Sequence, residues 1–209
     1  NNGVIEARLG KIALAAGNET ATVDLYGDGL VELGLDPQST KAVMIENKGA
    51  LIADGGKIAI SAKTAKDAVD SVINMDGLVQ ANSVNVKNGV ITLSATNVDV
   101  KVGGKVHAKG GKGKIDIRTN RNIDVTRSAE LNASADTHGD GGSIHVIADN
   151  HAKFSGAVIA RGGSESGNGG FAEISGYQAL GFDGYANLGA TNGKAGSLLL
   201  DPRFAIIHS

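Results

Sequence analysis

The chain has 209 residues, of which 31 are glycine, about twice the usual share of about 7%. Hydrophobic residues make up 41% of it, but aromatic residues only 3%. The formal charge of −2 gives no electrostatic reason to expect a nucleic-acid partner, and the lack of cysteine excludes disulfides and thiolate metal sites. Disorder, collagen and membrane-spanning helices are also excluded, because the chain is too apolar, lacks a Gly-x-y period and has only short apolar runs.

A repeat of about 27 residues runs through the chain. Its copies begin at residues 3, 49, 77, 104, 129, 156 and 184, and glycine opens all of them except the copy at Ala129. Each copy contains short stretches in which apolar and polar residues alternate, as in Lys114–Arg118 and Ser143–Ile147, and this is the strand pattern. Glycine pairs between the stretches favour tight turns.

A unit this small cannot bury its apolar face alone, but it can do so when stacked on similar neighbours. The repeat therefore predicts an all-β fold, a parallel β-solenoid of about seven coils that forms a single domain over residues 1–209. Alternating strands also occur in β-sandwiches, which remain the alternative.

The first two copies are separated by an insertion, which we place over residues 18–46. Within it, Thr22–Leu35 carries two alternating runs around a Gly-Asp-Gly turn, which is a β-hairpin pattern. An Asp-Pro pair then predicts a short helix over Asp36–Val43, and a second short helix is predicted over Thr64–Val69. We expect these elements to lie outside the stacked coils.

Five motifs follow one another along nearly the whole chain. They are Gly10–Gly17, Val23–Leu30, Asn47–Gly56, Gly169–Gly176 and Leu198–Pro202. In this combination the chain resembles the N-terminal region of two-partner-secretion exoproteins of Gram-negative bacteria, the filamentous-haemagglutinin family. The resemblance implies a right-handed parallel β-helix, secretion to the bacterial cell surface and export by an outer-membrane transporter partner. The family's Asn-Pro-Asn type motif is absent, so we expect a fragment of a longer exoprotein.

The resemblance further implies a structural and adhesive segment of a haemagglutinin-like adhesin, without catalysis or a cofactor, that meets a glycan or protein receptor on host cells or matrix. Haem or haemopexin acquisition and the stalk of a contact-dependent inhibition toxin stay open. An enzyme acting on polysaccharide is a third alternative, with candidate groups Asp116, Arg118, Arg121 and Asp124. Outward alternation of Asp and Arg is more typical of a solvated face with ion pairs between coils.

Two loops contain further polar residues. Asp136–Asp140 offers two carboxylates and one histidine to a divalent ion, but its spacing matches no calcium loop, and we interpret it as a polar turn. Gly162–Gly170 is interpreted as a flexible surface loop. The remaining histidines show no zinc-type pairing; they are His107, His145, His151 and His208.

The segment Lys101–Arg127 is basic, with eight cationic side chains against two carboxylates. A basic stripe of this kind can attract anionic glycans or lipopolysaccharide, although lysine also keeps turn-rich segments soluble. The residues singled out as candidate anionic-glycan contacts are Lys109, Lys112, Lys114, Arg118 and Arg121.

Overall fold

The computed structural model describes residues 1–17, 21–23, 31–33, 42–64, 70–84 and 88–203. Its first strands, in chain order, are β1 (Val4–Glu6), β2 (Lys11–Gly17), β3 (Ala21–Val23), β4 (Val31–Leu33), β5 (Met44–Asn47), β6 (Ala50–Ile52), β7 (Lys57–Lys63), β8 (Val72–Met75), β9 (Leu78–Gln80), β10 (Val90–Thr96) and β11 (Asp99–Val102). The others are β12 (Lys105–His107), β13 (Lys114–Thr119), β14 (Ile123–Val125), β15 (Glu130–Asn132), β16 (Ser143–Ala148), β17 (His151–Phe154), β18 (Ala157–Ile159), β19 (Phe171–Gly176), β20 (Ala179–Phe182), β21 (Tyr185–Asn187) and β22 (Ser197–Pro202).

Three parallel sheets run along the molecule. Sheet 1 consists of β1, β6, β9, β12, β15, β18 and β21; sheet 2 of β2, β7, β10, β13, β16, β19 and β22; and sheet 3 of β5, β8, β11, β14, β17 and β20. Each predicted repeat start lies one residue before a strand of sheet 1, so we number the coils 1 to 7 from these starts. The predicted parallel β-solenoid is confirmed, with seven strands each in sheets 1 and 2, and the β-sandwich alternative is wrong.

The core is a column of aliphatic side chains that stack on their equivalents in neighbouring coils. We use the word row for side chains at register-equivalent positions in consecutive strands. In one inner row of sheet 2, Ile58, Ile91, Ile115 and Ile144 pair in register and are at most 1% exposed. Burying such a side chain contributes about 1.5–3 kcal/mol. The alternation predicted for Lys114–Arg118 is confirmed, because Ile115 and Ile117 face this column and their neighbours face outward.

Glycine is needed where the backbones of successive coils come close. A Cβ at Gly77, which opens coil 3, would overlap the carbonyl oxygen of Gly49 in coil 2. A second column, which precedes the strands of sheet 2, consists of Gly10, Gly56, Gly89, Gly113, Gly142, Gly170 and Gly196. Positive φ, which we expected in the turns, occurs among the described glycines at Gly55, Gly110, Gly111, Gly139 and Gly167. Close approach of neighbouring backbone, rather than positive φ, therefore accounts for most glycines in both columns, although Ala129 occupies the equivalent position in coil 5.

The insertion contains the predicted hairpin. β3 and β4 pair antiparallel, with Val23 opposite Val31, and β4 lies against β2 and β7 of sheet 2. The insertion ends earlier than the predicted residue 46, because Met44–Asn47 forms β5 and pairs with β8 in sheet 3.

The described residues contain no helix. Most of the two segments predicted as helices, 36–43 and 64–69, lies outside the described residues. Val43 and Thr64, at the described ends of these segments, are not helical. The Val43 carbonyl instead accepts a hydrogen bond from Val72 N (3.0 Å), which extends the pairing of sheet 3.

Candidate functional site

The basic segment Lys101–Arg127 winds around the solenoid instead of forming one patch. Lys101 lies on sheet 3, Lys105 on sheet 1, Lys114 and Arg118 on sheet 2, and the other cations lie in the connections between sheets. The cause is the repeat length, since a segment of this size makes about one complete coil. Of the five candidate glycan contacts, Lys109 and Lys112 lie in the loop before β13, Lys114 and Arg118 lie on β13, and Arg121 lies in the turn after it.

On sheet 2 the charges pair with one another. The Asp116 side chain is 13% exposed. Its Oδ1 lies 2.6 Å from Arg118 Nε, and its Oδ2 lies 3.4 Å from Lys114 Nζ. Arg121 Nε lies 3.1 Å from Asp99 Oδ1 in the previous coil. Asp124 lies on sheet 3 beside Lys101, so the structure does not bring Asp116 and Asp124 together as an acid/base pair. The predicted ion pairing is present, but the two pairs on sheet 2 lie within β13, and of these three pairs only Arg121–Asp99 joins two coils.

The loop Asp136–Asp140 is joined to the equivalent loop of the next coil. Asp140 Oδ1 accepts hydrogen bonds from the backbone N (2.8 Å) and Nδ2 (3.1 Å) of Asn168. His138 Nδ1 lies 3.2 Å from Ser166 Oγ. Among the residues that the structure describes, no group of three potential metal ligands is close enough to hold an ion.

The loop Gly162–Gly170, interpreted from the sequence as a flexible surface loop, is hydrogen bonded to both neighbouring loops. Ser164 N donates to the Asp136 carbonyl (3.0 Å) on one side. On the other side, Lys194 N donates to Asn168 Oδ1 (2.9 Å). These contacts build a ridge of stacked loops along the border between sheets 1 and 2.

A groove of about 400 Å³ lies between this ridge and the outer face of sheet 1, over coils 4 to 7. The register places Asn132, Ile159 and Asn187 in one row of its lining. The other lining residues that matter for its chemistry are Lys109, Ser134, Asp136, Arg161, Ser164 and Tyr185. Its volume lies within the range of about 300–1,000 Å³ typical of small-molecule sites.

Two cationic residues of the groove occupy one row. Lys109 and Arg161 each directly follow a buried alanine that comes immediately after a strand of sheet 1, and Ser134 is the equivalent residue in the coil between them. The Ser134 Oγ accepts a hydrogen bond from Arg161 N (3.1 Å). Within the described part of the chain, neither the Lys109 ammonium nor the Arg161 guanidinium forms a salt bridge. Both charges are therefore available to a ligand.

A histidine–carboxylate pair borders the groove. His107 Nε2 lies 2.9 Å from Glu130 Oε1, and the His107 side chain is only 12% exposed. Burial lowers the pKa of His107, and the nearby Lys109 acts in the same direction, while Glu130 partly opposes them. A hydrogen bond from Asn132 Nδ2 (3.1 Å) lowers the pKa of Glu130.

We expect His107 to make the protein less stable in mild acid. The unfolded chain binds a proton near the ordinary histidine pKa of about 6.5, whereas the folded chain binds it only at lower pH, so unfolding is favoured as the pH falls from 7.5 to 5.5. Guanidinium unfolding midpoints across this range should decline less in His107→Gln. In Glu130→Gln they should decline more, because the carboxylate that eases protonation of His107 is gone. Parallel profiles for all three proteins would contradict this origin of the pH dependence.

Sequence reasoning found Lys109 but missed Arg161 and Tyr185, which lie two and three coils further along. That these residues line the same surface as Lys109 can be seen in the sequence only when the repeats are aligned. The residue after the inner alanine is then Lys109, Ser134 or Arg161 in coils 4, 5 and 6.

The fold and its outward rows define a parallel β-solenoid with a groove along one flank. No protein-family model matches the chain. A segment of 91 residues, 43% of the chain, is 34% identical to a heme/hemopexin-binding protein of Haemophilus influenzae. The matched segment covers 9% of the length of that relative. Within the described residues, no helix is long and apolar enough to cross a membrane.

Proposed function

We propose that this chain is a structural and adhesive segment of a secreted bacterial surface exoprotein, a haemagglutinin-like adhesin without catalytic activity. The observation that carries the proposal is the register of the coils. It is kept over all seven coils of sheet 1, so that side chains are displayed in rows along an extended surface. The motif resemblance supports the same assignment.

The proposed route to the cell surface is two-partner secretion through an outer-membrane transporter. Each coil of a solenoid packs only on its neighbours, so coils can fold one after another as the chain emerges. The partners in this proposal are the transporter during export and a glycan or protein receptor on host cells or matrix afterwards.

Adhesion by this segment is directly measurable. Beads coated with the folded chain should be retained on epithelial cell monolayers, and pre-incubation of the cells with soluble chain should reduce their retention. Beads coated with albumin at equal density provide the control. Retention no greater than with albumin would contradict the adhesive role.

Haem or haemopexin acquisition is the second candidate, and the similarity to the heme/hemopexin-binding protein of Haemophilus favours it. Titration of the folded chain with haemin, followed by the Soret band, and co-precipitation with haemopexin test this candidate. Saturable binding in either assay, together with failure of the bead assay, would favour acquisition over adhesion.

A further inference from the structure

We propose that the groove of coils 4 to 7 binds a carboxylated saccharide, with the carboxylate held between Lys109 and Arg161. This inference rests on the proposed adhesive function and names the ligand class for one surface of the segment. It replaces the basic stripe of the sequence as the candidate glycan site, because the groove contains only one of the five residues singled out there.

The spacing of the two cations suits one carboxylate. Lys109 and Arg161 stand two coils apart in the same row, so their backbones are separated by about 9–10 Å, and both side chains are long enough to converge over Ser134. A guanidinium presents parallel N–H donors that match the two oxygens of a carboxylate, and an ammonium adds a further donor. The Ser134 hydroxyl lies beneath this point.

The rest of the lining suits a sugar ring. Tyr185 is 57% exposed, and its hydroxyl accepts a hydrogen bond from Asn187 Nδ2 (3.1 Å), which fixes one edge of the side chain. An exposed aromatic ring of this kind offers an apolar surface with a polar end. Ile159 adds apolar contact, and Asp136 and Ser164 supply acceptors for hydroxyl groups.

Asp136 also selects among acidic ligands. Its carboxylate stands in the same lining as the two cations, so the groove is only weakly positive. A densely sulfated polyanion would bring several charges close to Asp136, whereas a saccharide with one carboxylate and many hydroxyl groups would not. The groove therefore favours carboxylated over highly sulfated glycans.

The test is calorimetric titration of the folded chain at low salt with three carboxylated probes: 3′-sialyllactose, a hyaluronan tetrasaccharide and trigalacturonate. Lactose serves as the neutral counterpart and sucrose octasulfate as the densely sulfated one. We expect at least one carboxylated probe to bind, no heat of binding with lactose, and weaker binding of sucrose octasulfate. Absence of binding by all three carboxylated probes would overturn the proposal, as would sucrose octasulfate that binds as tightly as the best of them.

Variants separate the groove from general charge attraction. Lys109→Gln combined with Arg161→Gln should weaken binding at least tenfold, with an unchanged circular dichroism spectrum and melting temperature. Lys101→Gln combined with Lys153→Gln removes the same charge from the exposed face of sheet 3 and should change affinity less than twofold. Equal losses in the two double variants would overturn the assignment to the groove.

Tyr185 gives an independent check that does not involve charge. Tyr185→Phe, which retains the ring, should keep most of the affinity for the saccharide. Tyr185→Ala should lose about as much affinity as the single variant Lys109→Gln or Arg161→Gln. Unchanged affinity in Tyr185→Ala would contradict the stacking role of the ring.

The bead assay keeps this inference distinct from the proposed function. If the double variant of Lys109 and Arg161 loses saccharide binding but beads coated with it still adhere, adhesion uses another surface. The adhesive role then stands, and the claim that the groove contributes to adhesion fails. If the chain binds the saccharide but its beads do not adhere, the groove assignment stands and the adhesive role fails.

Discussion

Replacing Gly142 with alanine is expected to lower the free energy of unfolding by about 2–4 kcal/mol, a large effect for the addition of one methyl group. The new Cβ would overlap the carbonyl oxygen of Gly113 in the previous coil. That oxygen accepts the hydrogen bond from Ser143 N (2.9 Å) that starts the pairing of β13 with β16. The backbones can relieve the overlap only by moving apart, which lengthens this hydrogen bond and opens the column beside it.

Gly181→Ala is the matched control for this prediction. Gly181 lies on β20, its φ is not in the positive range, and a Cβ there would meet nothing within 4 Å. The same chemical change should therefore be neutral or stabilise by about 0.4–1 kcal/mol, because it restricts the unfolded chain. Guanidinium unfolding of both variants gives the comparison. A Gly142→Ala protein within 0.5 kcal/mol of the original would show that the coils can separate without cost.

The coil architecture could be predicted because its causes are local and repeat. Glycine recurs where most coils approach the backbone of the previous coil, and the alternation in segments such as Lys114–Arg118 reports the inward face directly. Both features recur once per coil, so each copy of the repeat supports the interpretation of the others. The strands of sheets 1 and 3 give a weaker signal than those of sheet 2, since they are only three or four residues long.

The candidate site could not be predicted in the same way, because it depends on which residues of different coils become neighbours. A stretch of basic sequence winds once around the solenoid, and its charges separate onto three sheets. Lys109 and Arg161 are distant in sequence but share a row. The pairing of Asp116 with Arg118 likewise depends on side-chain geometry that charge counting does not reveal.

The low aromatic content of the sequence did not indicate that an aromatic ring would lie in the core. Small aliphatic side chains fill most of the column, yet Phe154 is fully buried on β17 and stacks on Phe182 of the next coil, with ring centroids 5.6 Å apart. The ring of Phe154 occupies the space that a side chain at Gly184 would need, since a Cβ there would lie 2.8 Å from Phe154 Cδ1. The glycine that opens coil 7 thus makes room for the largest side chain of the column.

Replacing Phe154 with alanine is expected to lower the free energy of unfolding by about 3–5 kcal/mol, the usual cost of removing a buried phenylalanine ring. The cavity would lie beside Phe182, which would lose its stacking partner. Tyr177→Ala provides the control, because Tyr177 is 61% exposed and its removal should change the free energy by no more than about 0.5 kcal/mol. Guanidinium unfolding measures both changes.

The loss of stability in Phe154→Ala should also be uneven along the molecule. Coil stability in a solenoid is approximately a sum of terms between neighbours, and the described strands of coil 7 pair only with those of coil 6. Hydrogen exchange in Phe154→Ala should therefore quicken more at Ala179–Pro202 than at Ala50–Lys63, which is separated from the cavity by two intact coils. Equal acceleration in both segments would show that the seven coils unfold as one cooperative unit, and the argument that each coil needs only its neighbours would then fail.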